Sequence, residues 1–116
     1  MLTAIIPKLP MRNKAATRGF YVDRLGFLFI NEYDDYLIVE QDGLQLHFFL
    51  HPELDPATND WQVYIRTNDI DTRYRTVQQR GVLIHPNGAL RSKPWGQREF
   101  ALLDPDNNLL TFGQGI

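Results

Sequence analysis

The 116-residue chain holds three histidines and no cysteine, so metal binding or nucleophilic chemistry would rest on imidazole, carboxylate and hydroxyl groups alone. Disulfides and thiolate clusters are excluded outright. His47 lies within the alternating run LQLHFFL, where a strand would present it on one face. His51 and His85 stand directly before Pro52 and Pro86; a following proline favours extended loop backbone, and both read as solvated. The stretch PWGQREFALLDPDNNLLTF, Pro94 to Phe112, sets Trp95 beside Gly96 ahead of an alternating run and a turn. Such a tryptophan either packs on its own loop or stacks on a ligand. Glu99 is the carboxylate nearest to it along the chain; with no partner visible, it reads as structural. No P-loop, dinucleotide fingerprint or nucleophile elbow is present.

These residues need elements to place them, and the composition suits one domain. The formal net charge is -2, with Lys and Arg scattered, so there is no basic footprint for a nucleic acid backbone. No apolar run approaches a membrane span, and the opening MLTAIIPKLP is broken by Pro7 and Pro10 and lacks a small-residue cleavage pattern. The expectation is a cytoplasmic protein with neither nucleic acid nor membrane as partner.

A first short strand is expected around Leu2 to Pro7. Asn13 can cap a helix over KAATRGFYVDRL that stops at Gly26, with Gly19 weakening its middle. YLIVEQ and LQLHFFL read as strands joined by Asp42-Gly43, the pair a type I′ turn favours because both positions need φ > 0. HPELDPATND reads as a loop, after which the pattern restarts. WQVYIRT is a strand, and Asn68 or Asp69 caps a helix with Ile70, Tyr74 and Val77 on one side and Gly81 at its end. Setting DGLQLHF against DNNLLTF aligns Asp42 with Asp106, Leu46 with Leu110, His47 with Thr111 and Phe48 with Phe112. With the repeated order of elements, this predicts an α+β fold of two βαβββ modules, about 1–52 and 60–116, each too small to bury its own sheet.

Strand alternation then sorts the side chains. Leu44, Leu46, Phe48 and Leu50 share one face, opposite Gln45, His47 and Phe49; Trp61, Val63 and Ile65 oppose Gln62, Tyr64 and Arg66. The first set on each strand, Trp61 included, is expected in the core. The second faces mix aromatic and polar groups, whereas a solvent-facing sheet would carry more Lys, Glu and Thr. That mixture suits the wall of a concave pocket, with Phe49, His47, Gln62 and Tyr64 as candidate ligand contacts.

FYVDRLGF, DGLQLHFFLHPELDP and above all PWGQREFALLDPDNNLLTF stand in an order and spacing that resemble the vicinal oxygen chelate superfamily, and within it the bleomycin resistance branch. The resemblance runs from about Pro7 to Phe112. It implies paired modules with cup-shaped sheets, a homodimer with an exchanged N-terminal strand, and two ligand grooves at the dimer interface. Pro7 and Pro10 fall where such an arm would leave its domain, and proline would stiffen that hinge.

Enzymes of the superfamily resemble one another in holding a divalent metal on one residue from each of four strands. This sequence offers Ile6, His47, Gln62 and Thr111 at the matching places, and only His47 is a good ligand. The implied activity is therefore binding without turnover, with no metal and no cofactor: sequestration of a bleomycin-like, cationic ligand carrying a flat aromatic group. By resemblance Trp95 stacks on that group and Tyr36 supplies a second aromatic from the partner subunit. Gly96 permits close approach, and Glu32, Asp34 and Asp35 of NEYDDY attract positive charge, unless that run is only a solvated turn. Gln45, His47 and Gln62 depart from an apolar lining and make the cavity more polar. The alternatives are a metal-dependent lyase, dioxygenase or isomerase built on His47, and a binding module for another flat small molecule.

Overall fold

The computed structural model describes all 116 residues. Two four-stranded mixed sheets carry the fold, each with its parallel strand at one edge. The first contains β1 (Lys8–Met11), β2 (Leu28–Tyr33), β3 (Tyr36–Gln41) and β4 (Leu44–Leu50) in the order β1-β4-β3-β2. The second contains β5 (Gln62–Arg66), β6 (Arg91–Ser92), β7 (Gln97–Leu103) and β8 (Leu109–Gly115) in the order β5-β8-β7-β6. Parallel neighbours need a long crossover. Helix α1 (Lys14–Arg18) with its continuation supplies the one between β1 and the β2–β4 meander, and α2 (Ile70–Gln79) supplies the one after β5. The α+β architecture expected from the repeated pattern is the one observed.

Local chemistry accounts for most element ends. Asn13 accepts the Ala16 N–H and caps α1. Past Gly19 the helix widens into π geometry over Gly19–Arg24. The wider turn carries Tyr21 into the core. Asp42 (φ 53) and Gly43 (φ 77) form the tight β3–β4 turn, with Gln41 opposite Leu44, as their residue types require. Asp69 precedes α2 without capping it; Gln114 Oε1 takes the Ile70 N–H instead, at 2.9 Å.

Three expectations need correcting. Leu2 to Pro7 form no strand, and the first strand is Lys8–Met11. The ladder begins where the His47 N–H reaches the Pro7 carbonyl, and the residues before it find no neighbouring strand in their own chain. Leu2 and Ile5 stand 92% and 94% exposed. Trp61 is not core: it precedes β5, is 47% exposed, and meets Phe49 edge-on at 5.7 Å. Leu44, at the mouth of the hairpin turn, is likewise exposed.

Leu37, Val39, Leu46 and Phe48 of the first sheet pack with Tyr21, Leu25 and Phe27, while Phe100, Leu102, Leu110 and Phe112 of the second pack with Ile70 and Val77. Each such side chain contributes about 1.5–3 kcal/mol by burial. The β7–β8 loop ties the two sheets together. Asp104 accepts the Tyr21 hydroxyl (2.7 Å), the Asn108 side-chain amide (2.9 Å) and the backbone N–H groups of Asp106 and Asn108. Asn108 also donates to the Pro10 carbonyl, and Arg12 pairs with Asp106 at 2.7 Å. Burial pushes the Asp104 carboxyl above its ordinary value against the pull of these donors.

Candidate functional site

The faces turned away from the core carry the chemistry. On the second sheet, Tyr64 lies across Gly113 of β8 and donates its hydroxyl to Glu99 Oε2 at 2.6 Å. Gly113 sits opposite both Arg66 and Glu99 in the ladder, and a Cβ there would collide with the phenol. Trp95 projects from the turn that closes when the Gly96 N–H bonds the Lys93 carbonyl at 3.1 Å, with Gly96 at φ 81. Its indole Nε1–H donates to the same Glu99 oxygen at 3.2 Å, although the side chain leaves the residue 64% exposed. Glu99 itself is buried. Burial raises the Tyr64 phenol, and the hydrogen bond and charge of Glu99 raise it further. Gln62 lies exposed on this same side of β5.

The first sheet presents a different surface. Tyr36 and His47 Nδ1 are 2.7 Å apart, and His47 Nε2 is 2.9 Å from Gln45 Oε1, whose amide nitrogen donates to Glu40 at 3.2 Å. Because Gln45 Oε1 only accepts, Nε2 carries the proton and Nδ1 receives the Tyr36 hydroxyl. The chain thus runs in one direction through a neutral imidazole. Burial lowers the His47 pKa, and Lys8, its β1 ladder partner, lowers it further. The Lys8 ammonium stands 5.5 Å from the Tyr36 ring, and burial raises the Tyr36 phenol.

The expected site residues therefore divide. Trp95, Gly96, Tyr64 and Gln62 belong to the second sheet and its loop, while Tyr36, His47 and Phe49 belong to the first. Asp34 and Asp35 are exposed in the β2–β3 turn. Glu32 is not a free attractor for a ligand, because Arg18 holds it at 2.9 Å and Lys14 at 3.6 Å. Glu99, read as structural from the sequence, is the hub of the second face. Its parity with Gln97 and Ala101 puts it on the Tyr64 side, and the glycine within β8 signals the close approach. A cavity of 730 Å³ opens between Leu44–Leu46 of β4, β5 and Thr67–Asp69, and of the residues of the two faces it touches Tyr64 and Gln45.

Comparison with known proteins places this geometry. The model of the glyoxalase/bleomycin resistance protein/dioxygenase superfamily matches residues 7–112. The chain belongs to that superfamily. A bleomycin resistance protein of Geobacillus stearothermophilus is 31% identical over an alignment of 127 positions, gaps included, covering 96% of each chain. Among solved structures, a bleomycin resistance determinant encoded on the transposon Tn5 superposes with a TM-score of 0.89 at 32% identity, covering 98% of both chains. A bleomycin-binding protein complexed with bleomycin gives 0.88 at 32% identity, covering 99% of this chain and 100% of that one.

The metal positions that the superfamily resemblance assigns do not fit a divalent cation here. Both ring nitrogens of His47 are engaged. The residue opposite it on β1 is Lys8, not Ile6, and the residue opposite Thr111 on β5 is Tyr64, not Gln62. An ammonium and a phenol next to one imidazole and one hydroxyl lack the three good ligands of a catalytic zinc or the two imidazoles and a carboxylate of an iron site. No three His, Asp or Glu side chains cluster anywhere in the chain.

Proposed function

We propose that the protein binds a bleomycin-type glycopeptide, a flat aromatic group with a cationic tail, and sequesters it without turnover in the cytoplasm. The observation that carries the reading is Trp95, which is 64% exposed yet held by a hydrogen bond to a buried carboxylate. An exposed tryptophan on a fixed mount is a stacking plate, contributing on the order of 1 kcal/mol beyond area burial. Similarity to bleomycin resistance proteins over nearly the whole chain supports it.

The second plate is Tyr36. It lies on the other sheet from Trp95 within the chain, so the clamp is proposed to form in a homodimer, between one protomer's second sheet and its partner's first. The exposed apolar arm at residues 1–7, with Leu2 and Ile5, suits exchange with the partner. Phe49, His47, Gln62, Tyr64 and Gly96 complete the proposed walls, with Asp34 and Asp35 at the rim.

Tryptophan fluorescence, titrated with metal-free and copper-loaded bleomycin, tests this. Saturable quenching at one drug per subunit, weakened in Trp95→Ala and in Tyr36→Ala, is the expected result, with the drug recovered chemically unchanged. A folded dimer that does not respond would redirect the reading to another flat ligand, which the polar groups Gln45, His47 and Gln62 would favour.

A further inference from the structure

Glu99 occupies an unusual position for a carboxylate. It lies in the middle of β7, only 8% exposed, with no Lys, Arg or His in ion-pair contact. A buried carboxylate without a cation is costly unless donors surround it. Two donors are present, the Tyr64 hydroxyl at 2.6 Å and the Trp95 indole at 3.2 Å, and both fall on Oε2. Oε1 is left without a protein donor and is not wholly sealed from solvent.

The surroundings are shaped to hold this arrangement. Gly113 is the only residue type that lets the Tyr64 ring cross β8 to reach Glu99, since any Cβ would meet the phenol. The Lys93–Gly96 turn, closed at 3.1 Å, brings Trp95 back over the start of β7, four residues before Glu99. Strand, glycine and turn thus converge on one oxygen. A neutral amide could accept both hydrogen bonds equally well in geometry, so the negative charge needs a separate reason.

We propose that Glu99 is a positioning and specificity-determining residue: through Oε2 it fixes the Trp95 plane, and through Oε1 it presents negative charge beside that plane, selecting flat ligands that carry positive charge over neutral ones of the same shape. The selectivity rests on the sequestration reading; the positioning of Trp95 does not. The indole and the adjacent carboxylate act on the same ligand, the indole by stacking, in competition with the Lys93 ammonium that stands 5.8 Å from its ring, and the carboxylate by a charge-assisted contact in a partly water-excluded place.

Two substitutions separate the two roles. Glu99→Gln retains an acceptor and removes the charge; Glu99→Leu removes both. The Trp95 indole N–H resonance, followed by ¹⁵N NMR in the ligand-free protein, reports the hydrogen bond without any ligand. It should stay near its wild-type position in Glu99→Gln and move in Glu99→Leu and in Gly113→Ala. Fluorescence titrations would then use metal-free bleomycin and an amide derivative of the drug in which an uncharged group of similar size replaces the cationic tail. The wild-type protein should prefer the cationic form, and Glu99→Gln should reduce that preference about tenfold while binding the uncharged form nearly as before. An indole resonance unmoved in Glu99→Leu overturns the positioning role, and an unchanged preference in Glu99→Gln overturns the selectivity. If the folded wild-type protein binds neither form, the sequestration reading falls and charge selection falls with it, while the indole resonance still decides the positioning.

Discussion

The outward faces of the two sheets occupy equivalent places in the repeat and have diverged in charge. His47 on β4 pairs with Lys8 on β1, and Thr111 on β8 pairs with Tyr64 on β5. The first face joins a phenol, a neutral imidazole and an amide beneath an ammonium group, while the second joins a phenol and an indole on a bare carboxylate. The same strand geometry thus gives one surface with an ammonium beside a neutral imidazole and one in which a buried carboxylate holds a phenol and an indole, with Arg66 and Lys93 beside their rings. What differs is the edge strand: a lysine opposite the imidazole adds to the burial that depresses its basicity, and on the other sheet a tyrosine opposite a threonine reaches across a glycine to the acid. A repeat can therefore supply two unlike halves of one clamp without changing its backbone.

The comparison breaks most completely where the sheets are tied together. Asp104→Ala leaves Tyr21, Asn108 and two backbone N–H groups without their acceptor and should cost about 3 kcal/mol, seen as a lower urea midpoint. NMR signals from both faces should shift together. Next in size, Trp95→Ala should weaken bleomycin binding by about 2 kcal/mol, roughly thirtyfold, with unchanged stability. Trp61→Ala, which loses only an edge-on contact with Phe49, should alter affinity less than threefold by the same titration, in keeping with the near-neutral contacts that surround a hot spot.

Gly113→Ala should cost about 1–2 kcal/mol from overpacking and free Tyr64 from Glu99. Its phenol, watched by ultraviolet absorbance, should then titrate closer to the ordinary value. The first face should not respond. The smallest effect belongs to His47. Its folded pKa lies below the ordinary 6.5, so the unfolded chain binds more protons between the two values, and stability rises with pH across that window. The contribution is present above about pH 6.5 and is lost as pH falls toward the lowered value. Lys8→Met should raise the His47 midpoint, as measured by imidazole proton shifts, and shrink the loss.

Much of this was legible because alternation and turn chemistry are local. The faces of β4 and β5 followed from parity, the Asp42-Gly43 turn from its residue types, and the superfamily from the motif ending at Phe112. The misread residues all depend on contacts distant in sequence. Glu32 is neutralised by Arg18 and Lys14 from a helix that packs back over the hairpin, and Glu99 gains Tyr64 from 35 residues away. Trp61 lies just before the strand whose alternation was extended to it, and Lys8 faces His47 only because the parallel ladder starts at Pro7.

Pro10 shows what the outer edge of β1 is protected from. Pro7 and Met11 turn their carbonyls toward β4, so by alternation Lys8 and Pro10 turn their backbone groups outward. At Pro10 there is no N–H to offer, and Asn108 already occupies the carbonyl. An approaching strand from another molecule therefore finds neither donor nor free acceptor at that point. Pro10 thus makes that edge a poorer template for runaway sheet growth, which favours accumulation of the folded chain without fibres.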